Sequence, residues 1–290
     1  MSERWRLLID GAGAPDWNMA LDRALLDLAP DSRSLPTLRL YWWVPHALSL
    51  GANQRAEGQI DWPALERDGY GAVRRPTGGR AILHAEEVTY SVTAPAPPGG
   101  IAAAYAWLAE GLVAGLRRAG VEAELQRLRP ARPAGGAVAH SRSNGVLATR
   151  HPCFSAAGRY EITARGRKLV GSAQCRARGW FMQHGSILLG PEHLNLPRYL
   201  CGADHESEIE KLRRATIDCS SLLGRPLAPD DLVGPLTEGF ARALGIEFEP
   251  GVLNRTERDS AERLCAEQFA TRAWTRAGNR GSGKGKGTAR

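Results

Sequence analysis

Two residue types that cooperate in group transfer stand fifteen positions apart, Cys153 in His-Pro-Cys-Phe and Lys168 in GRKLVGSAQ. A free thiol with a pKa of about 8.5 is only a few per cent thiolate at neutral pH, and the thiolate is the form that attacks. A nearby lysine favours the thiolate as a cation and accepts its proton when desolvated, so the pair suits acyl transfer through a covalent thioester. A buried cysteine and a surface lysine would give the same spacing.

A second cluster is RRPTGGRAILH, residues 74–84. The consecutive glycines Gly78 and Gly79 let backbone N–H groups converge on a ligand, and Arg74 and Arg75 add charge for a carboxylate, phosphate or oxyanion. Strand neighbours point to opposite faces, so one of the two arginines is expected to face a cleft and help dock a substrate. A plain Gly-Gly turn beside a solvated edge is the alternative. His84 follows three apolar residues and can hold a substrate carbonyl, as can His184 with Gly185 in Gln-His-Gly-Ser; each reads equally well as a hydrogen-bonded core histidine. Asn18 and Asp22 in NMALDRALL form a further polar cluster.

The elements that position these residues are legible in outline. DWNMALDRALLDLA has the apolar spacing of an amphipathic helix, and TLRLYWW and ALSLG read as strands. Residues 71–94 read as strand, glycine turn, strand, strand, the last with polar/apolar alternation. Residues 101–119 are rich in helix formers and stop at Gly120, which predicts a helix covering a sheet face. Residues 129–150 mix Pro, Gly and Arg as a long loop, and 160–189 read as a three-stranded meander. After Leu200 the character is helical, with helices expected over 230–244 and 256–271, the second capped by Thr256 and Asp259. The blocks imply an α+β fold of mixed and antiparallel sheets flanked by helices, without βαβ alternation. We expect a single catalytic domain over 1–275, helical from about 205, and a disordered basic tail over 276–290.

Length and composition bound the partners. The 290 residues are 43% hydrophobic, ample for a packed core. No apolar run approaches the roughly 20 residues of a membrane span, and the start MSERWRLLIDGAG lacks a secretory stretch, which predicts a cytoplasmic protein without membrane contact. Five cysteines without a C-x-x-C pair suggest reduced thiols rather than disulfides or zinc, and no cofactor is expected. The net charge of +7 invites a nucleic-acid reading, but five of those charges lie in residues 276–290, leaving a nearly balanced body.

The motifs NMALDRALL, LRLYWW, LSLGANQ, RRPTGGRAILHAEEVTYSV, CF followed by YEITARGRKLVGSAQ, and QHGSILL occur in one order, and together the chain resembles the lipoate-protein ligases and octanoyltransferases of the biotin/lipoate ligase superfamily. The resemblance runs from about Trp5 to Leu189 and more weakly to Trp274. It implies the α+β catalytic domain of that superfamily, an acyl-binding motif at Arg74, Gly78, Gly79 and His84, a second motif at Gly171, Ser172 and Ala173, and Lys168 as the active-site lysine.

Within the superfamily a ligase activates a free acid with ATP, whereas an octanoyltransferase takes a thioester from acyl carrier protein. The transferase pattern keeps a cysteine where Cys153 and Phe154 stand, and Arg80 and Glu87 stand where ligases carry a third small residue and an Asp-x-Gly-Asn. Only helices and a basic tail are expected where ligases carry an accessory domain. The resemblance therefore implies an octanoyltransferase of lipoate biosynthesis with octanoyl-acyl carrier protein as donor and, as acceptor, a lipoyl domain of the glycine cleavage H protein or of a dehydrogenase E2 component. An ATP-dependent lipoate-protein ligase, an amidotransferase between lipoyl domains and a noncatalytic basic binding protein remain as alternatives.

Overall fold

The computed structural model describes residues 2–31, 34–127 and 160–278. Eight strands form the main sheet: β1 (Glu3–Gly13), β2 (Thr37–Trp43), β6 (Glu87–Pro95), β7 (Glu124–Arg127), β8 (Tyr160–Ala164), β9 (Arg167–Ala177), β10 (Trp180–Leu188) and β11 (Ile246–Pro250). Their order is β11-β1-β2-β6-β10-β9-β8-β7, with β1 parallel to both neighbours and the other pairs antiparallel. A small sheet, ordered β4-β3-β5, holds β3 (Ala47–Leu50), β4 (Gly71–Arg74) and β5 (Ile82–His84).

The helices are α1 (Pro15–Leu28), α2 (Trp62–Arg67), α3 (Gly100–Arg118), α4 (His205–Ala215), α5 (Cys219–Leu223), α6 (Asp230–Leu244), α7 (Arg255–Leu264) and α8 (Arg272–Ala277). The alternation of β6 decides which helix sits where. Val88, Tyr90 and Val92 join a core with Leu108 and Leu112 of α3 and Leu236 and Phe240 of α6. Thr89, Ser91 and Thr93 point to the opposite face, and they too are buried. That polar face is covered by α1, whose Asn18 and Asp22 are fully buried.

The α3–α6 crossing depends on missing side chains. A Cβ on Gly239 would lie 2.1 Å from the Gly115 nitrogen, and one on Gly111 would lie 2.6 Å from the Phe240 ring. Backbones approach this closely only without Cβ atoms.

The expected helix over 101–119, the glycine-turn unit and the meander all form. Three strands went unread, namely β1, β7 and β11, and β11 joins the supposedly helical C-terminal region to the main sheet. The helix expected over 256–271 is α7 followed by a π-turn over Cys265–Phe269, and its capping box is Asn254 with Glu257 rather than Thr256 with Asp259. The tail is not free from 276, because α8 runs to Ala277. The loop expected over 129–150 lies outside the described residues.

Candidate functional site

Because opposite residues of an antiparallel pair share a face, the second motif splits across the sheet. Lys168, Val170 and Ser172 line a cavity of about 730 Å³ between the sheet and α3, together with Gly79, Arg80 and Gln183. Gly171 and Ala173 face the other way, into a pocket of about 20 Å³ with His84, His184, Gly185 and Arg75. The first volume suits a small-molecule ligand, and the second holds about one water.

The cavity is apolar along Ile101, Ala109 and Leu112 of α3 and Leu125 and Ile162 of the sheet. Its polar groups are fixed by neighbours. Lys168 Nζ donates to Glu161 Oε1 at 3.1 Å, with both side chains 12% exposed. The Tyr105 hydroxyl donates to the Ser172 carbonyl at 2.9 Å, pinning α3 to β9. Gln183 donates to the Tyr90 hydroxyl, which meets Ser172 Oγ at 2.7 Å. Sequence reasoning found Lys168 but missed Glu161. The signal was the Arg-Gly hairpin turn: Thr163 pairs with Lys168, which puts Glu161 within diagonal reach.

Under α1 two carboxylate–imidazole–hydroxyl chains lie buried. Asp22 Oδ2 is 3.0 Å from His184 Nδ1, and His184 Nε2 is 2.7 Å from Thr77 Oγ1. Glu87 Oε1 is 2.9 Å from His84 Nδ1, and His84 Nε2 is 2.7 Å from Ser49 Oγ. The carboxylates accept, so each Nδ1 carries the proton and each Nε2 accepts from the hydroxyl. Trp43 stacks on His84 at 4.0 Å. Burial works to raise the Asp22 pKa, but Arg39 at 2.8 Å and the His184 hydrogen bond outweigh it and hold the carboxyl below its ordinary value. Burial lowers the His184 pKa despite Asp22, leaving the imidazole neutral at pH 7.

His84 and His184 are therefore built into the wall behind the glycine turn rather than along the large cavity. Both arginines are buried as well, and of the two only Arg75 reaches the small pocket. Arg74 donates to the carbonyls of Gly51 and Gln54 and, across the molecule, to those of Trp274 and Thr275, while Trp274 Nε1 donates back to the Arg74 carbonyl. Arg75 donates to Ser49 and to the carbonyls of Gly78 and Arg80. The turn joining β4 to β5 passes over Gly51, where a Cβ would lie 2.1 Å from the Gly79 carbonyl oxygen. Gly79 adopts a positive φ of 99°.

Cys153 lies outside the described residues. Of the other thiols, burial pushes Cys175 and Cys219 up to about 12 and Cys265 up to about 11. Cys201 is exposed. Among the described residues no cluster of three or more His, Cys, Asp or Glu is placed to hold a metal, and no helix is long and apolar enough to cross a membrane.

Residues 14–241 match the model of the lipoyl protein ligase A/B catalytic domain. The octanoyltransferase LipM of Kyrpidia tusciae is 41% identical over 278 residues, covering 92% of this chain and 97% of that protein. The octanoyltransferase LipM of Bacillus subtilis is 33% identical over 279 residues, covering 94% and 98%. In fold the chain is similar to a lipoate-protein ligase A bound with ATP, at a TM-score of 0.74 and 21% identity over 95% of this chain and 99% of that one. It is equally similar to the bipartite lipoate protein ligase of Thermoplasma acidophilum, at a TM-score of 0.75 and 20% identity over 94% and 96%.

Proposed function

The chain belongs to the lipoyl protein ligase A/B catalytic domain family and is an octanoyltransferase of lipoate biosynthesis, and we propose that it carries the octanoyl group on Cys153 between an acyl carrier protein and a lipoyl-domain lysine. The observation that supports the site is an apolar cavity that holds Lys168, Ser172 and Gly79 on its wall. Its apolar lining suits an eight-carbon chain, and the lysine stands where a carbonyl needs help.

In the first half-reaction the Cys153 thiolate attacks the donor's thioester carbonyl, and the carbonyl π electrons move onto oxygen. The carbon–sulfur bond to the carrier then breaks, and the carrier leaves as a thiol with the proton given up by Cys153. In the second, the acceptor lysine attacks the acyl-enzyme, an amide forms, and the Cys153 thiolate departs and regains a proton from the attacking amine. Lys168 passes these protons, and the oxyanion is met by backbone groups near Gly78, Gly79 and Lys168. Thioester exchange is nearly balanced, so the catalytic gain lies in positioning and in stabilising the oxyanion.

The reading is tested by supplying octanoyl carrier protein and a lipoyl domain without ATP and following the mass of the acceptor. An octanoylated lysine formed without nucleotide is the expected product. Product only from free octanoate with ATP would make the chain a ligase.

A further inference from the structure

We propose that Arg75 is a positioning residue that shapes the oxyanion site, and that Ser49, His84 and Glu87 orient it from behind. This rests on the transferase reading above and adds a role to residues placed away from the cavity.

Peptide planarity carries the argument. Arg75 draws the carbonyls of Gly78 and Arg80 inward, at 2.9 Å and 2.7 Å from Nη2. The intervening Gly79 carbonyl is turned against Gly51. In a trans peptide the N–H points opposite to its carbonyl, so the N–H groups of Gly79 and Ala81 are directed away from Arg75. On that side Gly79 and Arg80 form cavity wall, whereas Arg75 lines the small pocket behind. Two N–H groups turned to the side that carries the cavity and its lysine are what a carbonyl oxygen acquiring negative charge requires.

The guanidinium is itself held. Arg75 Nη1 donates to Ser49 Oγ at 3.0 Å, Ser49 donates to His84 Nε2 at 2.7 Å, and His84 Nδ1 donates to Glu87 at 2.9 Å. Thr89 donates to the same Glu87 oxygen at 2.6 Å. Among the described residues the other oxygen, Glu87 Oε2, is buried and meets no partner. A buried carboxylate with an orphan oxygen costs stability, which packing alone gives no reason to keep. Carboxylate, imidazole, hydroxyl and guanidinium thus form one chain that ends on the glycine turn.

An oxyanion site serves both half-reactions, whereas a donor-docking arginine serves only the first. Single-turnover measurement of acylation and deacylation separates these roles. Arg75→Lys keeps the charge but cannot span two carbonyls with a planar fork. It should slow both half-reactions by similar factors, on the order of 10²-fold, with the donor KM within about twofold. Ser49→Ala removes only the link between Arg75 and His84 and should slow both about tenfold, keeping the test open should Arg75→Lys fold poorly. Slowing confined to acylation with a raised donor KM would overturn the proposal, as would unchanged rates in Ser49→Ala. A wild-type chain that forms no acyl-enzyme would refute the transferase reading itself.

Discussion

A thiol attacks only through its thiolate fraction, and burial leaves almost none of it at Cys175, Cys219 and Cys265 at neutral pH. In the proposed mechanism Lys168 passes protons for Cys153. Lys168→Ala should slow acylation and deacylation together, by about 10²–10⁴-fold, read by single-turnover kinetics; an effect on only one would assign the second proton elsewhere. Lys168 and Gly79, singled out in the sequence by motif and residue type, both line the large cavity. The roles of Arg74 and Arg75 were not legible, because sequence shows a charge without showing which backbone carbonyls fold around it. His84 and His184 were ambiguous for the same reason: their partners Glu87, Ser49, Asp22 and Thr77 come from three separate elements and a turn.

Elements with a strong period were readable, whereas the two edge strands β7 and β11, and β1 inside the sheet, were not. Strand β11 is five residues ending at Pro250, and β7 is four residues, too short to show alternation. Two predictions belong at this scale. Gly51→Ala places a Cβ 2.1 Å from the Gly79 carbonyl, so the turn must shift. We expect a kcat loss on the order of tenfold or more with the fold retained by circular dichroism; wild-type kcat would show that the turn tolerates displacement. Arg74 clips α8 to β4, so Arg74→Ala leaves several buried carbonyls unsatisfied. A loss of about 2–4 kcal/mol should follow, seen as a fall in Tm of roughly 5–15 °C. The same clip extends to Gly278, which packs on the Arg74 guanidinium. Truncation after Gly278 should leave turnover within about tenfold, whereas truncation after Thr271 should lower Tm as Arg74→Ala does.

Across the whole molecule buried imidazoles set the response to acid. His184 and His193 have folded-state pKa values lowered from 6.5, mainly by burial. The unfolded chain therefore binds more protons below about pH 6.5, and stability falls as pH drops from there. Asp22 is lowered from 3.8, so its contribution is present above that value and is lost as pH falls through the folded value. Thermal midpoints should thus be level from pH 7 to 8, decline from about 6.5 and decline further below about 4; a midpoint flat to pH 5 would contradict the neutral buried imidazoles. One face of the sheet is thus buried and polar, and the other carries the apolar cavity proposed for the acyl chain. Passage of the octanoyl group through Cys153 is tested most directly by intact-protein mass spectrometry after mixing with octanoyl carrier protein, without ATP. One octanoyl increment is expected, which hydroxylamine removes, Cys153→Ser abolishes and Cys175→Ser retains. An unmodified wild-type protein, with ATP-dependent octanoylation of the lipoyl domain surviving Cys153→Ser, would contradict it.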